Sequence, residues 1–154
     1  MGVASDLERQ VFSAARDNGV SSVLFRNAVA RKLGLNSTDS ECLSMLSIKG
    51  VSSPTELARY TGLTSGSTTA MLDRLERAEF ITRKPNPDDR RGVLIEITKK
   101  WAESAGPLVQ GVQQAHRKLI ASYTDEQLET IVDFLTRFTS NVIDSIDRIE
   151  EDSP

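Results

Sequence analysis

The chain has very few of the residues that build most catalytic and metal centres. Its 154 residues include one cysteine, Cys42, and one histidine, His116. A single thiol excludes an internal disulfide, and one thiol with one imidazole cannot complete a closed zinc site within one chain. The sequence also lacks a glycine-rich phosphate loop after a strand and a convincing nucleophile. We therefore expect a protein that is not an enzyme and uses no cofactor or metal.

Long apolar runs are lacking as well. No stretch approaches the roughly 20 apolar residues that cross a bilayer, and the first ten residues, MGVASDLERQ, contain acids in place of a signal-peptide core. These absences predict a cytoplasmic protein with no membrane partner. In that compartment the glycosylation sequon at Asn36 is a chance match.

Aromatic residues make up only 5% of the chain, and its apolar residues are mostly Leu, Ile, Val and Ala, which favours helices. The net charge of −3 is unevenly placed. Residues 1–52 hold six Lys/Arg and five Asp/Glu, residues 53–100 nine and seven, and residues 101–154 four and ten. The net acidity therefore lies in the last third, which leaves the middle of the chain suited to a polyanionic partner.

Two short helices joined by a glycine turn are predicted in the middle of the chain. Ser53-Pro54-Thr55-Glu56 combines a capping box with proline at the first helical position. Gly62 is a natural left-handed residue that ends this helix after about two turns. A second helix follows from about Ser65 to Ala78, with 3.6-residue periodicity. This arrangement is typical of a helix-turn-helix.

The pattern then changes to that of a β-hairpin. Residues 80–84 and 93–98 are rich in strand-forming residues, and the turn-forming stretch 85–92 lies between them. The predicted fold class is therefore mainly α with a small β-hairpin wing. We expect a winged helix-turn-helix over residues 37–98, helical regions over residues 1–36 and 99–150, and a disordered tail at residues 151–154.

The remaining helices are predicted from caps and periodicity. A first helix runs from about Ser5 to Leu33 with a weak point at residues 17–19, and a capping box at Thr38 and Glu41 begins the second. Helical spacing resumes after Thr98, with an interruption at Gly106-Pro107. A capping box at residues 124–127 starts an amphipathic last helix.

The start of the helix at residues 65–78 has the composition of a recognition helix. Small polar residues there let the backbone approach base edges in the major groove, and hydroxyls and methyl groups can contact bases. A long basic side chain on the same face can reach a phosphate. The candidate DNA-binding residues in this segment are Thr64, Ser65, Gly66, Ser67, Thr69, Ala70 and Arg74.

The hairpin tip supplies the second set of candidates. Arg90 and Arg91 lie where core packing cannot explain them, and arginine suits both minor-groove insertion and phosphate pairing. Asp89 can hold Arg91 extended through a charge-assisted bond. A solvated turn explains an isolated charged loop equally well, but a helix-turn-helix directly before it favours DNA binding.

The segments 71–76, 81–93 and 95–98 together resemble the MarR family of transcriptional regulators, with Asp89 and Arg91 matching its Asp-any-Arg wing pattern. The resemblance implies a sequence-specific regulator of double-stranded DNA, a repressor, that acts as a homodimer on a pseudo-palindromic operator. It implies a winged helix-turn-helix with N- and C-terminal dimerisation helices, in which residues 37–98 form the DNA-binding lobe and residues 1–36 and 99–150 the helical dimerisation region. It also implies that a small phenolic or anionic effector can release the DNA, a point that the sequence leaves open.

Three alternatives remain open at this point. The first is a ligand pocket helped by His116 and Arg16, although a lone histidine is more often structural. The second is redox sensing through Cys42, which lies in the predicted second helix and not in the first. The competing interpretation of Cys42 is a small apolar residue buried in the core. The third is a winged helix that serves as a protein-interaction module. Trp101 is predicted to belong to the core.

Overall fold

The computed structural model describes residues 5–89 and 92–151, with the side chains of residues 150 and 151 left out. In chain order its elements are α1 (Asp6–Lys32), α2 (Ser37–Lys49), β1 (Val51–Ser52), α3 (Pro54–Thr61), α4 (Ser65–Arg77), β2 (Ile81–Pro85), β3 (Val93–Ile97), α5 (Lys99–Ile120) and α6 (Asp125–Glu151). The chain divides into two compact units, Met1–Val109 and Gln110–Pro154, with the boundary inside α5. The mainly helical fold with a small wing is confirmed.

The first unit has a closed apolar core. Side chains from α2, α3, α4 and the sheet lose all or nearly all of their exposure to water there: Cys42, Leu43, Leu46, Leu57, Met71, Leu72, Leu75, Ile81 and Ile95. The periodic apolar positions of the two short helices converge on this cluster because each helix is apolar along one face only. Burial of that face is what holds the helix-turn-helix together.

The wing belongs to a three-stranded antiparallel sheet in the order β1-β3-β2. Ile81 pairs with Ile97 and Pro85 with Val93, which confirms the predicted hairpin. The sequence did not indicate β1, in which Ser52 pairs with Ile95. A strand of two residues shows no alternation to detect.

The predicted caps of the helix-turn-helix are confirmed. The backbone N–H of Glu56 donates to Ser53 Oγ (3.3 Å), and the Ser53 N–H donates to Glu56 Oε2 (2.7 Å). Gly62 ends α3 at a φ of 66°, in the left-handed region that favours glycine. At the start of α6, Thr124 and Gln127 form the expected reciprocal pair, at 2.9 and 3.3 Å.

Two predictions about helix ends were wrong. The second helix is capped by Asn36, whose side chain accepts from the Asp39 N–H at 2.8 Å, and not by Thr38. Asparagine is the stronger cap, so the helix begins earlier. The interruption at Gly106-Pro107 is absent, since α5 runs through Pro107. Proline removes one backbone hydrogen bond of the helix but does not end it here.

The weak point predicted at residues 17–19 does not break α1, which is continuous from Asp6 to Lys32. Its ends agree with the prediction, because Ser5 caps the first turn and Leu33 the last. The helix carries many exposed apolar side chains on the outside of the first unit: Leu7, Val11, Phe12, Val20, Val23, Leu24 and Phe25.

The second unit contains the end of α5 and all of α6. None of its residues up to 149 is buried. The exposed large apolar side chains of this unit are Leu119, Ile120, Tyr123, Ile131, Val132, Phe134, Leu135, Val142, Ile143, Ile146 and Ile149. α6 ends at Glu151, and the rest of the predicted tail lies outside the described residues. Within the described part of the chain, no helix is long and apolar enough to span a membrane.

Candidate nucleic-acid interface

The start of α4 presents its small residues to solvent. Thr64 caps the helix, with its side chain accepting from the Ser67 N–H at 3.3 Å. All the candidates on this helix are exposed: Thr64, Ser65, Gly66, Ser67, Thr69, Ala70 and Arg74. The opposite face is buried through Thr68, Met71, Leu72 and Leu75. The helix is therefore fixed by its inner face and leaves a complete outer face for a ligand.

Internal hydrogen bonds orient the hydroxyl groups of the outer face. Thr64 Oγ1 donates to Ser67 Oγ (3.1 Å), and Thr69 Oγ1 donates to the Ser65 carbonyl (3.0 Å). Ser67 therefore keeps a donor, and Thr69 keeps acceptor capacity, for groups outside the helix. A Cβ added at Gly66 would meet no atom within 4 Å, so space in the folded chain does not require glycine there.

Arg74 has a partner that the sequence did not indicate. Its Nη2 donates to Asp39 Oδ1 of α2 at 2.8 Å, and its Nε lies 3.5 Å from Asp39 Oδ2. Asp39 is only 5% exposed. The hydrogen bond to this carboxylate, followed by its charge, raises the pKa of Arg74. Arg74 thus joins the recognition helix to α2.

The wing is joined to α4 by Arg83 of β2. This guanidinium binds Asp73 Oδ1 at 2.7 Å through Nη2 and pairs with Glu76 through Nη1. Both carboxylates lie on α4, three residues apart, so they face the same strand. Hairpin and helix are therefore fixed to each other by charge as well as by the chain between them.

The tip of the wing is a closed turn where it is described. The Asn86 N–H donates to the Gly92 carbonyl (3.0 Å), and the Gly92 N–H donates to the Asp89 carbonyl (2.8 Å). A Cβ at Gly92 would lie 3.1 Å from the side chain of Asn86, so Asn86 would have to shift slightly to admit a side chain there. Asp89 is exposed. Arg90 and Arg91 lie outside the described residues.

Comparison with known proteins identifies this arrangement. Residues 35–93 match the model of the MarR family. An HTH-type transcriptional regulator of Bacillus subtilis, YcgE, is 33% identical over 147 residues, which cover 96% of each chain. The multiple antibiotic resistance protein MarR of Salmonella typhimurium is 32% identical over 100 residues, or 64% of this chain and 69% of that protein.

The chain belongs to the MarR family.

This MarR-family chain is a DNA-binding transcriptional regulator and not an enzyme. A crystal structure of a mutant E. coli MarR complexed with operator DNA resembles it with a TM-score of 0.50 and 25% sequence identity, over 87% of this chain and 99% of that chain.

At the base of the wing, Glu79 has an unusual backbone conformation and contacts that the sequence did not indicate. Glu79, between α4 and β2, has a φ of 60°, which is uncommon for a residue other than glycine. Its carbonyl accepts from Thr98 Oγ1 at 2.6 Å, and its side chain pairs with Lys100. The hydrogen bond to Lys100, then its charge, lowers the pKa of Glu79. These contacts hold the two ends of the hairpin together.

The one thiol of this MarR-family chain is poorly suited to redox sensing. Cys42 is fully buried in the core, and that burial, with a smaller effect of Asp39, raises its pKa to about 12. Sensor cysteines are accessible and have lowered pKa values, because the thiolate is the reacting form. The redox alternative has no structural support in this state of the chain.

The structure also describes His116 and Arg16, whose roles the sequence left undecided, and Trp101. His116 and Arg16 are both exposed, in the second and first units respectively. Trp101 packs against the core, as predicted, with its ring 5.4 Å from that of Phe80 in an edge-to-face contact. Its indole N–H donates to Ser47 Oγ at 3.4 Å. Among the described residues no group of three or more His, Cys, Asp or Glu could hold a metal ion.

Proposed function

We propose that this protein is a homodimeric repressor that binds a pseudo-palindromic operator. In each protomer the exposed face of α4 enters the major groove, and the wing follows the adjacent backbone and minor groove. The observation that supports this assignment is the hydroxyl-lined outer face of α4, with the wing fixed beside it through Arg83. Two recognition helices about 34 Å apart then read successive turns of one face of the DNA.

The second copy of the chain is proposed from the exposed apolar side chains. Ile143 is 52% exposed and Ile149 70% exposed, on a helix with no buried residue among those described. Monomeric proteins rarely leave contiguous apolar surface of such extent open to water. α1 carries a second apolar face, and a twofold-related copy is the occupant that also matches a palindromic DNA site.

Ile143→Asp tests the dimer directly. An unpaired carboxylate in an apolar contact costs several kcal/mol, so we expect the dimer dissociation constant to rise at least about 100-fold. Sedimentation velocity over a dilution series measures this change. Asn141→Asp, at an exposed polar position two residues away, is the matched control and should stay dimeric. A monomeric wild-type protein that still binds operator DNA would overturn the dimer.

DNA binding is tested by fluorescence anisotropy with DNA from the region upstream of the protein's own gene, over a range of salt concentrations. Arg91→Ala should weaken binding to all sequences and reduce the salt slope by about one phosphate for each protomer. Ser67→Ala and Thr69→Ala should instead change sequence preference. Arg137→Ala on α6 is the control and should change neither. A wild-type protein without salt-dependent binding to this DNA contradicts the proposed operator.

The interaction-module alternative makes the opposite prediction at the wing. If Arg90 and Arg91 can both be changed to Glu without loss of DNA binding, the wing serves another partner. The repressor predicts a severe loss, since two cations facing phosphates become anions. Transcription in vitro from the same promoter then separates repression from activation, because a repressor lowers the transcript yield.

We propose further that a small phenolic or anionic molecule releases the protein from DNA, as the resemblance to the MarR family implies. Anisotropy measurements in the presence of small phenolic acids test it, with benzoate-sized neutral analogues as the comparison. A ligand that releases DNA must bind the free protein more tightly than the DNA-bound form. Equal affinity for both forms excludes that ligand as an effector.

A further inference from the structure

The ion pair between α2 and α4 assigns Arg74 a role different from that of a phosphate contact. Its guanidinium donates to Asp39 Oδ1 through Nη2 at 2.8 Å and approaches Oδ2 through Nε at 3.5 Å. The remaining nitrogen, Nη1, donates to the Ala70 carbonyl of its own helix at 3.4 Å. All three nitrogens of this side chain therefore have a partner within the protein.

The Asp39 carboxylate is shielded from water more than the Arg74 guanidinium, so it has fewer alternatives to this ion pair. The Asp39 side chain is 8% exposed and that of Arg74 is 44% exposed. A buried carboxylate without a cation is strongly unfavourable, so the pair stays closed unless α2 and α4 separate. Asp39 also lies in the first turn of α2, where its backbone N–H is bound by the Asn36 cap at 2.8 Å. The cap thus fixes the backbone of Asp39 at the start of α2.

We propose that Arg74 is a positioning residue, and that the Asp39–Arg74 pair sets the orientation of the recognition helix relative to α2. The proposal rests on DNA binding by the outer face of α4. The fork of the guanidinium fixes α4 at a point between Ala70 and the helix end, on the side that faces α2. Ser67 and Thr69 lie less than two turns away, so a small rotation at Arg74 displaces them from base edges.

The two roles predict opposite results for Asp39→Asn. If Arg74 binds phosphate, loss of Asp39 frees the guanidinium and removes an anion near the DNA, so affinity should hold or rise and the salt slope should steepen. If Arg74 positions α4, the same change should weaken operator binding by at least about tenfold while the salt slope stays as in wild type. Glu41→Gln removes one exposed negative charge from the same helix and is the matched control.

Arg74→Lys gives a second, milder test that keeps the charge. Lysine cannot form the forked contact with a carboxylate, so the positioning role predicts weaker operator binding with an unchanged salt slope. A phosphate contact predicts nearly unchanged affinity. The double variant Asp39→Asn with Arg74→Gln should bind no worse than the weaker of its two single variants, because both changes break the same contact.

The experiment is anisotropy with operator DNA and with a scrambled duplex, over a salt series, on proteins whose thermal unfolding and dimeric state have been checked. We expect Asp39→Asn and Arg74→Lys to lose affinity for the operator more than for the scrambled duplex. Tighter binding by Asp39→Asn, or a salt slope reduced by about one phosphate for each protomer in Arg74→Gln alone, overturns the proposal. Failure of wild type to bind any duplex overturns the proposed function instead.

Discussion

The two units of the chain use the same apolar residue types in opposite ways. In Met1–Val109, leucines from several elements meet in one core, and Leu75 is 1% exposed. In Gln110–Pro154, Leu135 is 52% exposed, and no residue up to 149 is buried. The first unit therefore has the core of a lobe that is stable within one chain. The second has an exposed apolar surface, which a second copy of the chain covers in the proposed dimer.

The comparison predicts which changes depend on protein concentration. A side chain that is buried within one chain stabilises that chain at any concentration. A side chain that a second copy buries stabilises the assembly, and its contribution grows with concentration by mass action. Matched substitutions in the two units can separate these cases.

Leu75→Ala should have the largest effect on stability. Truncation of a fully buried leucine removes its transfer free energy and leaves a cavity, which together cost about 3 kcal/mol of the free energy of unfolding. Urea unfolding at two protein concentrations measures this loss, and the difference from wild type should be the same at both. A loss below about 1 kcal/mol would mean that the core around α4 relaxes far more than its packing indicates.

Leu135→Ala is the same change in the second unit. If a second copy covers this side chain, the variant should lose about 1–2 kcal/mol for each protomer in the free energy of dimerisation. The fraction of dimer should fall below that of wild type at protein concentrations near the dimer dissociation constant, and both proteins should be fully dimeric far above it. An effect that is equal at all concentrations would place Leu135 in a contact within its own chain.

Two glycines sharpen the comparison within the first unit. Gly62→Ala should cost about 1 kcal/mol, because its φ of 66° is unfavourable for a side chain although nothing lies within 4 Å. Gly66→Ala should instead stabilise the protein by up to about 1 kcal/mol, since alanine favours the helix. Thermal unfolding checks both changes. If the backbone at Gly66 lies against DNA, that variant should bind the operator more weakly despite its greater stability.

The smallest expected effect concerns pH. The backbone and side-chain hydrogen bonds of Ser53 lower the pKa of Glu56 in the folded chain. The contact therefore stabilises the fold above the unfolded pKa of glutamate and loses this effect as the pH falls through the folded value. Glu56→Gln should lose less stability than wild type between pH 7 and pH 4. We expect a difference of a few tenths of a kcal/mol, since the pair is exposed. No difference in pH dependence would mean that folding does not lower the pKa of Glu56.

The helix-turn-helix was predictable because its signals are local. Ser53 and Gly62 act on the backbone within one turn of themselves, and the structure contains each of them in its expected role. The two wrong predictions arose where two local signals competed. Asn36 lies two residues before Thr38 and forms the cap, and a single Pro107 does not end a helix whose flanking turns are intact.

The contacts that fix the candidate interface were less predictable because they join distant positions. Asp39 and Arg74 lie 35 residues apart, and neither residue alone indicates that one faces the other. The pairing of Arg83 with Asp73 and Glu76 could have been predicted from the sequence. The two acids are three residues apart, and the strand after them returns along the same helix. The DNA-binding roles of the exposed residues of α4 stay predictions, as do those of Arg90 and Arg91.

The double pairing of Arg83 has a consequence for the cost of binding DNA. A DNA-binding protein whose two DNA-binding elements move independently loses conformational entropy for each element when both bind the duplex. Here Asp73 and Glu76 hold the wing strand against the recognition helix before any DNA is present. Most of that ordering therefore takes place when the chain folds. In the proposed function, what remains for DNA binding is to place α4 and the strand paired with it on the duplex together.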